Sequence, residues 1–204
     1  MSDSIKIKLN PNSLTHLLYL HGFRSSPQSA KASRLATLFS QTYPDVHWWS
    51  PQLPPSPCET SALILKGTAN WPKDTMAVIG SSLGGFYATW FAHLYDCKAV
   101  LINPAIDPAR DLVKYIGDHS VWHDPNERIY FDSAYIEELR NLYVSEFKNP
   151  QKVFALIAKG DEVLDWREMI GRYPKCPQLV LEGSDHGVSD FEQHLPRLMQ
   201  FLFT

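Results

Sequence analysis

Five consecutive residues, Gly80-Ser81-Ser82-Leu83-Gly84, hold a serine with a glycine two places away on each side. A serine hydroxyl is a weak nucleophile at neutral pH unless a base takes its proton and a third group orients that base. The G-x-S-x-G spacing serves such a nucleophile where a strand turns sharply into a helix. The turn strains the central residue and draws its neighbours together, so only small side chains fit there. It also sets the Leu83 N–H at a helix N-terminus, where negative charge is favoured. A phosphate cradle and a glycine-lined packing turn are the competing readings. GSSLGG fits neither G-x-G-x-x-G nor G-x-x-x-x-G-K-[ST], because position 82 is serine and no lysine follows.

A serine nucleophile in this setting needs an acid after a later strand and a histidine after the last one. The apolar run VFALIAKG ends in GDEVLD, which offers Asp161, with Asp165 and Glu162 behind it as alternatives. The run LVLEG ends in GSDHG, which offers His186 in a polar loop without apolar periodicity. Asp185 is its neighbour and a weaker candidate for the acid. Ser82, Asp161 and His186 are therefore the expected catalytic residues. A tetrahedral oxyanion needs two N–H donors, one from the residue after the nucleophile and one from the loop after an early strand. Leu83 and Phe23, the latter in LLYLHGF, are the expected pair, and His21 is expected to shape that loop.

Other candidates are weaker. His119 and His123 in HSVWH share a helical i, i+4 spacing but lack the HExxH glutamate, so no metal is expected. Arg24, Lys31 and Arg34 read as solvated helix charge, with a phosphate-bearing acyl carrier as the functional option.

The elements that must position these residues are legible as short apolar runs alternating with helical stretches. The runs lie at 17–23, 46–50, 76–80, 99–105, 153–160 and 179–183. Continuous apolar runs of this length suit strands buried on both faces. Residues 29–43, 83–95 and 191–203 carry apolar positions at helical spacing. The alternation predicts an α/β fold: a mainly parallel sheet with helices on both faces. Proline-dense 50–58 reads as a loop rather than a helix. Residues 106–151 are too long for one plain crossover and read as a small insertion, a cap or padding, with 111–118 and 133–147 helical. The whole chain of 204 residues is expected to form one domain.

Composition excludes several classes. A net charge of −3 argues against a nucleic-acid binder. Cys58, Cys97 and Cys176 are widely spaced and read as free thiols with packing roles in a reducing compartment. The first 13 residues carry no apolar signal region, and no run approaches the ~18 apolar residues of a spanning helix, so a cytoplasmic location is expected.

Several blocks taken together resemble one family. LYLHGF, the SAKAS stretch behind it, PQLPP, GSSLGGFYATW, INPA, GDEVLD and the terminal DHG loop are similar to the YqiA-like esterases, small bacterial serine hydrolases of the α/β-hydrolase fold. The likeness runs from 17 to the C-terminus and is thin over 106–151. Residues 1–16 have no match there, and IKIKL within them is a candidate edge strand. The resemblance implies hydrolysis of carboxylic esters, thioesters included, and Ser82, Asp161 and His186 fall on its motifs. The expectation is a serine carboxylesterase with no cofactor, acting on a small-molecule acyl ester or thioester. An acyl-CoA thioesterase and a non-catalytic acyl- or partner-binding module on the same fold are the alternatives.

Overall fold

The structure, a computed structural model, describes residues 14–122, 124 and 126–204. The candidate strand IKIKL and His123 lie outside the described residues.

In chain order the elements are β1 (His16–Leu20), α1 (Ala30–Thr42), β2 (His47–Trp49), α2 (Pro57–Gly67), β3 (Met76–Ser81), α3 (Leu83–Tyr95), β4 (Lys98–Ile102) and α4 (Pro108–Asp111). They continue with β5 (Gly117–Ser120), β6 (Arg128–Phe131), α5 (Tyr135–Asn141), β7 (Val153–Ala158), α6 (Trp166–Arg172), β8 (Gln178–Leu181) and α7 (Phe191–Phe203). All six apolar runs form strands, and they pair in the order β2-β1-β3-β4-β7-β8. Every pairing in this sheet is parallel.

Strand periodicity sorts the core into two layers. Leu17 and Tyr19 of β1 join Leu35 and Phe39 of α1 and Leu198 and Leu202 of α7 on one face. Leu18 and Leu20 join Ile64 of α2, Phe86 and Phe91 of α3 and Met169 of α6 on the other. Helix α3 is apolar nearly all round because it is covered on most of its surface.

Three local expectations are corrected. Pro57 and Cys58, read as loop, open α2. Pro57 stands in its first turn, where the missing N–H costs nothing, and the Ser56 hydroxyl accepts from the Glu59 N–H at 3.1 Å. Residues 111–118 do not continue as one helix. A single 3-10 turn at Val113–Tyr115 gives way to β5 through Gly117, whose φ of +123° suits glycine alone. In 133–147 only α5 is helical. The insertion 106–151 also holds an antiparallel hairpin, β5 with β6, that periodicity did not reveal. Its Phe131 packs edge-on to Phe23 at 5.3 Å between ring centroids, which seats the insertion on the loop after β1.

Among the described residues, no helix is long and apolar enough to cross a membrane.

Candidate active site

The chain leaves β1 for β2 on one side and returns to β3 on the other. Helices α1 and α3 therefore lie on opposite faces, and a crevice opens beyond the carboxyl ends of β1 and β3. Leu20 pairs with Gly80 at this point, so the loop after β1 and the turn after β3 are neighbours.

Ser82 occupies that turn with φ +57° and ψ −122°. A side-chain-bearing residue with positive φ costs roughly 1–3 kcal/mol and persists only when its surroundings hold it. Here they do. The Ser82 N–H donates to the Ile102 carbonyl at 3.0 Å, and the Ser82 carbonyl accepts from Gly85 at 2.8 Å and Ala105 at 3.0 Å. The flanking glycines are required by contact. A Cβ on Gly84 would lie 1.9 Å from the Leu20 carbonyl oxygen, and one on Gly80 would lie 2.1 Å from the Gly84 oxygen.

His186 follows β8 and presents Nε2 to Ser82 Oγ at 3.0 Å. Its Nδ1 faces Asp161 Oδ2 at 2.7 Å. Asp161 is the loop residue after β7, and its carboxylate side chain is fully buried. Its other oxygen, Oδ1, accepts from the Val163 and Leu164 N–H groups, each at 2.8 Å. A carboxylate has only acceptors, so Nδ1 carries the imidazole proton and Nε2 offers its lone pair to the serine hydroxyl. The structure thus brings Ser82, His186 and Asp161 together.

It does not bring the alternative acids to the imidazole ring. Glu162 accepts from the His186 main-chain N–H at 3.0 Å. Asp165 caps α6, accepting from the Arg167 N–H at 2.9 Å. Asp185 accepts from the Ser189 N–H at 2.9 Å.

Leu83 is the first residue of α3, where a helix leaves N–H groups without intrahelical partners. Gly22 brings the loop after β1 against Ser82, since a Cβ there would sit 3.2 Å from Ser82 Cβ. Phe23 follows it, and Phe23, Ser82 and His186 line the same cavities. Buried His21 accepts from the Leu53 N–H through Nε2 at 3.0 Å, so its proton is on Nδ1, which donates to the Gly22 carbonyl at 2.9 Å. The loop carrying Phe23 is thereby tied to the proline-dense segment after β2.

The charged residues after β1 have separate tasks. Arg24 donates to the Ser120 carbonyl at 2.6 Å and pins the hairpin of the insertion. Lys31 donates to the Gly187 carbonyl at 2.6 Å and lines the crevice beside His186. Burial pulls its ammonium below the usual lysine range, with Asp185 and Asp161 opposing that shift. Arg34 pairs with Glu192 at the surface. His119 lies in β5 rather than on a helix and meets the Tyr115 carbonyl at 2.7 Å. Among the described residues, no group of three or more His, Cys, Asp or Glu side chains is arranged to hold a metal. Burial raises the Cys97 thiol to about 12 and the Cys176 thiol to about 11, which suits packing, whereas Cys58 is exposed.

Asn103 is a site residue the sequence reading missed. It follows β4 with φ +41° and is wholly buried. Its amide nitrogen donates to the Asp185 and His186 carbonyls at 3.0 and 3.1 Å, and its amide oxygen accepts from the Ala158 N–H at 2.8 Å. One side chain therefore fastens the His186 loop to the end of β7. The available signal was an asparagine directly after an apolar run, since asparagine tolerates left-handed backbone better than most residues. Asn103→Ala removes all three bonds and leaves the Ala158 N–H buried without its acceptor. Urea unfolding should show a loss of about 3 kcal/mol.

A family model described as "Uncharacterised protein family (UPF0227)" matches residues 16–203. The UPF0227 protein YE1706 of Yersinia enterocolitica is 25% identical over 189 residues, covering 91% of this chain and 97% of the relative. Among solved structures, alpha/beta hydrolase domain-containing protein 10 from mouse superposes with a TM-score of 0.67 at 15% identity, over 96% of this chain and 92% of that one. Est1E from Butyrivibrio proteoclasticus, with ferulic acid bound, gives 0.66 at 14% identity, over 95% and 88%. A structure from work on the metagenome-derived lipolytic enzymes LipS and LipT gives 0.66 at 17% identity, over 93% and 94%. These likenesses show the fold: the α/β-hydrolase arrangement of a mainly parallel sheet between helices.

Proposed function

This chain belongs to the UPF0227 family, and from that premise we propose that it is a serine hydrolase cleaving carboxylic esters through an acyl-enzyme on Ser82. One observation carries the reading. A strained serine at a strand-to-helix turn lies 3.0 Å from an imidazole nitrogen whose opposite nitrogen is held by a buried carboxylate at 2.7 Å.

The chemistry follows from the tautomer. Ser82 Oγ attacks the ester carbonyl as His186 Nε2 accepts its proton. The imidazolium so formed is stabilised by Asp161. Negative charge collects on the former carbonyl oxygen, and the N–H groups of Leu83 and Phe23 are its donors, each worth about 3 kcal/mol in the transition state. The bond to the leaving oxygen then breaks, and His186 returns the proton to that oxygen. Water, deprotonated by the same imidazole, attacks the acyl-serine, and the acid departs as the proton passes back to Ser82. Residues 106–151 form an insertion within a single hydrolase domain and wall the crevice.

Ester cleavage is further supported by what the structural relatives are described as: Est1E holds ferulic acid and LipS and LipT are lipolytic enzymes. A fluorophosphonate probe tests the reading. Stoichiometric phosphonylation, mapped by mass spectrometry to the peptide carrying Ser82, is expected. A folded chain that takes no label would instead favour a binding module on the same fold.

A further inference from the structure

Two cavities of about 520 and 560 Å³ open on the Ser82 hydroxyl. Among the described residues, they share Phe23, Ser82, Trp122, His186 and Gly187 alone. One runs beneath the start of α1, past Ser25, Ser29 and Lys31. The other runs beneath the insertion, past Leu112 and Leu164 and the charged side chains of Arg110, Lys114, Glu162 and Glu168.

Trp122 comes from the insertion and is 70% exposed. It is nonetheless held firmly. Its main-chain N–H donates to the Arg24 carbonyl at 2.9 Å, and its indole Nε1–H donates to the Phe23 carbonyl at 3.2 Å. The Arg24 guanidinium stacks on its ring, 4.2 Å from the centroid. Arg24, with φ +59°, is itself fastened to Ser120. A tethered, solvent-facing aromatic at the junction of two cavities is built to touch something that enters them.

We infer that Trp122 is a specificity-determining wall which sends the acyl half and the alcohol half of the substrate into separate cavities, and that the substrates are esters in which both halves are extended. The inference rests on the ester-cleaving reading above. An ester carbonyl carbon bears its two substituents about 120° apart by its trigonal geometry, so a site that accepts bulk on both needs two arms meeting at the nucleophile. Cavities of nearly equal volume match halves of comparable size.

Two measurements on the full chain test this. Methyl acetate, hexyl acetate, methyl hexanoate and hexyl hexanoate are compared by pH-stat, and kcat/KM should rise with each extension separately and be highest for hexyl hexanoate. The ratio of kcat/KM for p-nitrophenyl hexanoate to that for p-nitrophenyl 2-ethylbutyrate is then taken for wild type, W122A and W122F. W122A opens the wall, and its preference for the linear chain should shrink about 10-fold. W122F keeps a ring but not the indole N–H, and should hold the wild-type ratio, which separates the wall from its tether. Wild type that favours methyl acetate, or W122A with an unmoved ratio, overturns the inference and leaves the ester-cleaving reading standing. Wild type that cleaves none of these esters and takes no label at Ser82 defeats that reading first.

Discussion

Ser82→Ala should lower kcat/KM for p-nitrophenyl butyrate by about 10⁶-fold, leaving the fold intact. The covalent route is lost because, among the described residues, no other hydroxyl meets His186 Nε2. Neighbouring Ser81 is the last residue of β3 and is buried. Stability should barely move. The turn is held by the Ser82 main chain, through Ile102, Gly85 and Ala105, and alanine keeps all of those bonds. Ser82→Gly sharpens the argument. Glycine adopts φ +57° without a Cβ penalty, so it should raise the unfolding free energy by about 1 kcal/mol while remaining equally inactive. Thermal unfolding beside steady-state kinetics reads both effects. A Ser82→Ala chain that still turns over the ester at a tenth of the wild-type rate removes the acyl-enzyme.

The sheet was legible because a strand covered on both faces must be apolar at every position. MAVIG and VFALIA could hardly be anything else, and each is buried along its whole length. The strand-to-helix turn at Ser82 was legible for a steric reason. Gly80 and Gly84 meet backbone at distances no side chain survives, so their positions mark Ser82 from sequence alone. The meeting of Asp161 and His186 was legible from where their strands end, which topology dictates.

What stayed hidden depends on contacts between distant segments. Asn103 looks like any residue after a strand until the His186 loop closes on it. The hairpin of β5 and β6 is short, half-exposed and polar in part, so periodicity says little. GDHS against RIYF becomes a ladder only through pairing. Helix α2 was obscured by the prolines before it, because proline argues against a helix interior yet favours the first turn. Lys31 read as surface charge on a helix, and only the packing of α1 beside the His186 loop turns it into the crevice. Trp122 carries no signal in a sequence at all: a lone exposed tryptophan acquires meaning from the two cavities on either side.

Asp161→Asn separates orientation from charge and is the second large effect to expect. In wild type, Asp161 Oδ1 takes the Val163 and Leu164 N–H groups, and Oδ2 takes the proton on His186 Nδ1. An asparagine there has one oxygen and one NH₂. The two main-chain donors claim the oxygen, since pointing an NH₂ at them would leave both buried bonds unmade. The NH₂ then faces His186 Nδ1 and donates to it, which forces the imidazole proton onto Nε2. That nitrogen now donates toward Ser82 Oγ and cannot accept its proton. The shape of the site survives, but the tautomer is wrong, and kcat should fall about 10⁴-fold. Unfolding should shift little, because the amide keeps every hydrogen bond of the loop. Asp165→Asn is the control. It caps α6 through the Arg167 N–H, a task asparagine performs as well, so both activity and stability should stay near wild type. If the control loses activity and Asp161→Asn keeps it, the acid has been assigned to the wrong side chain of the GDEVLD loop.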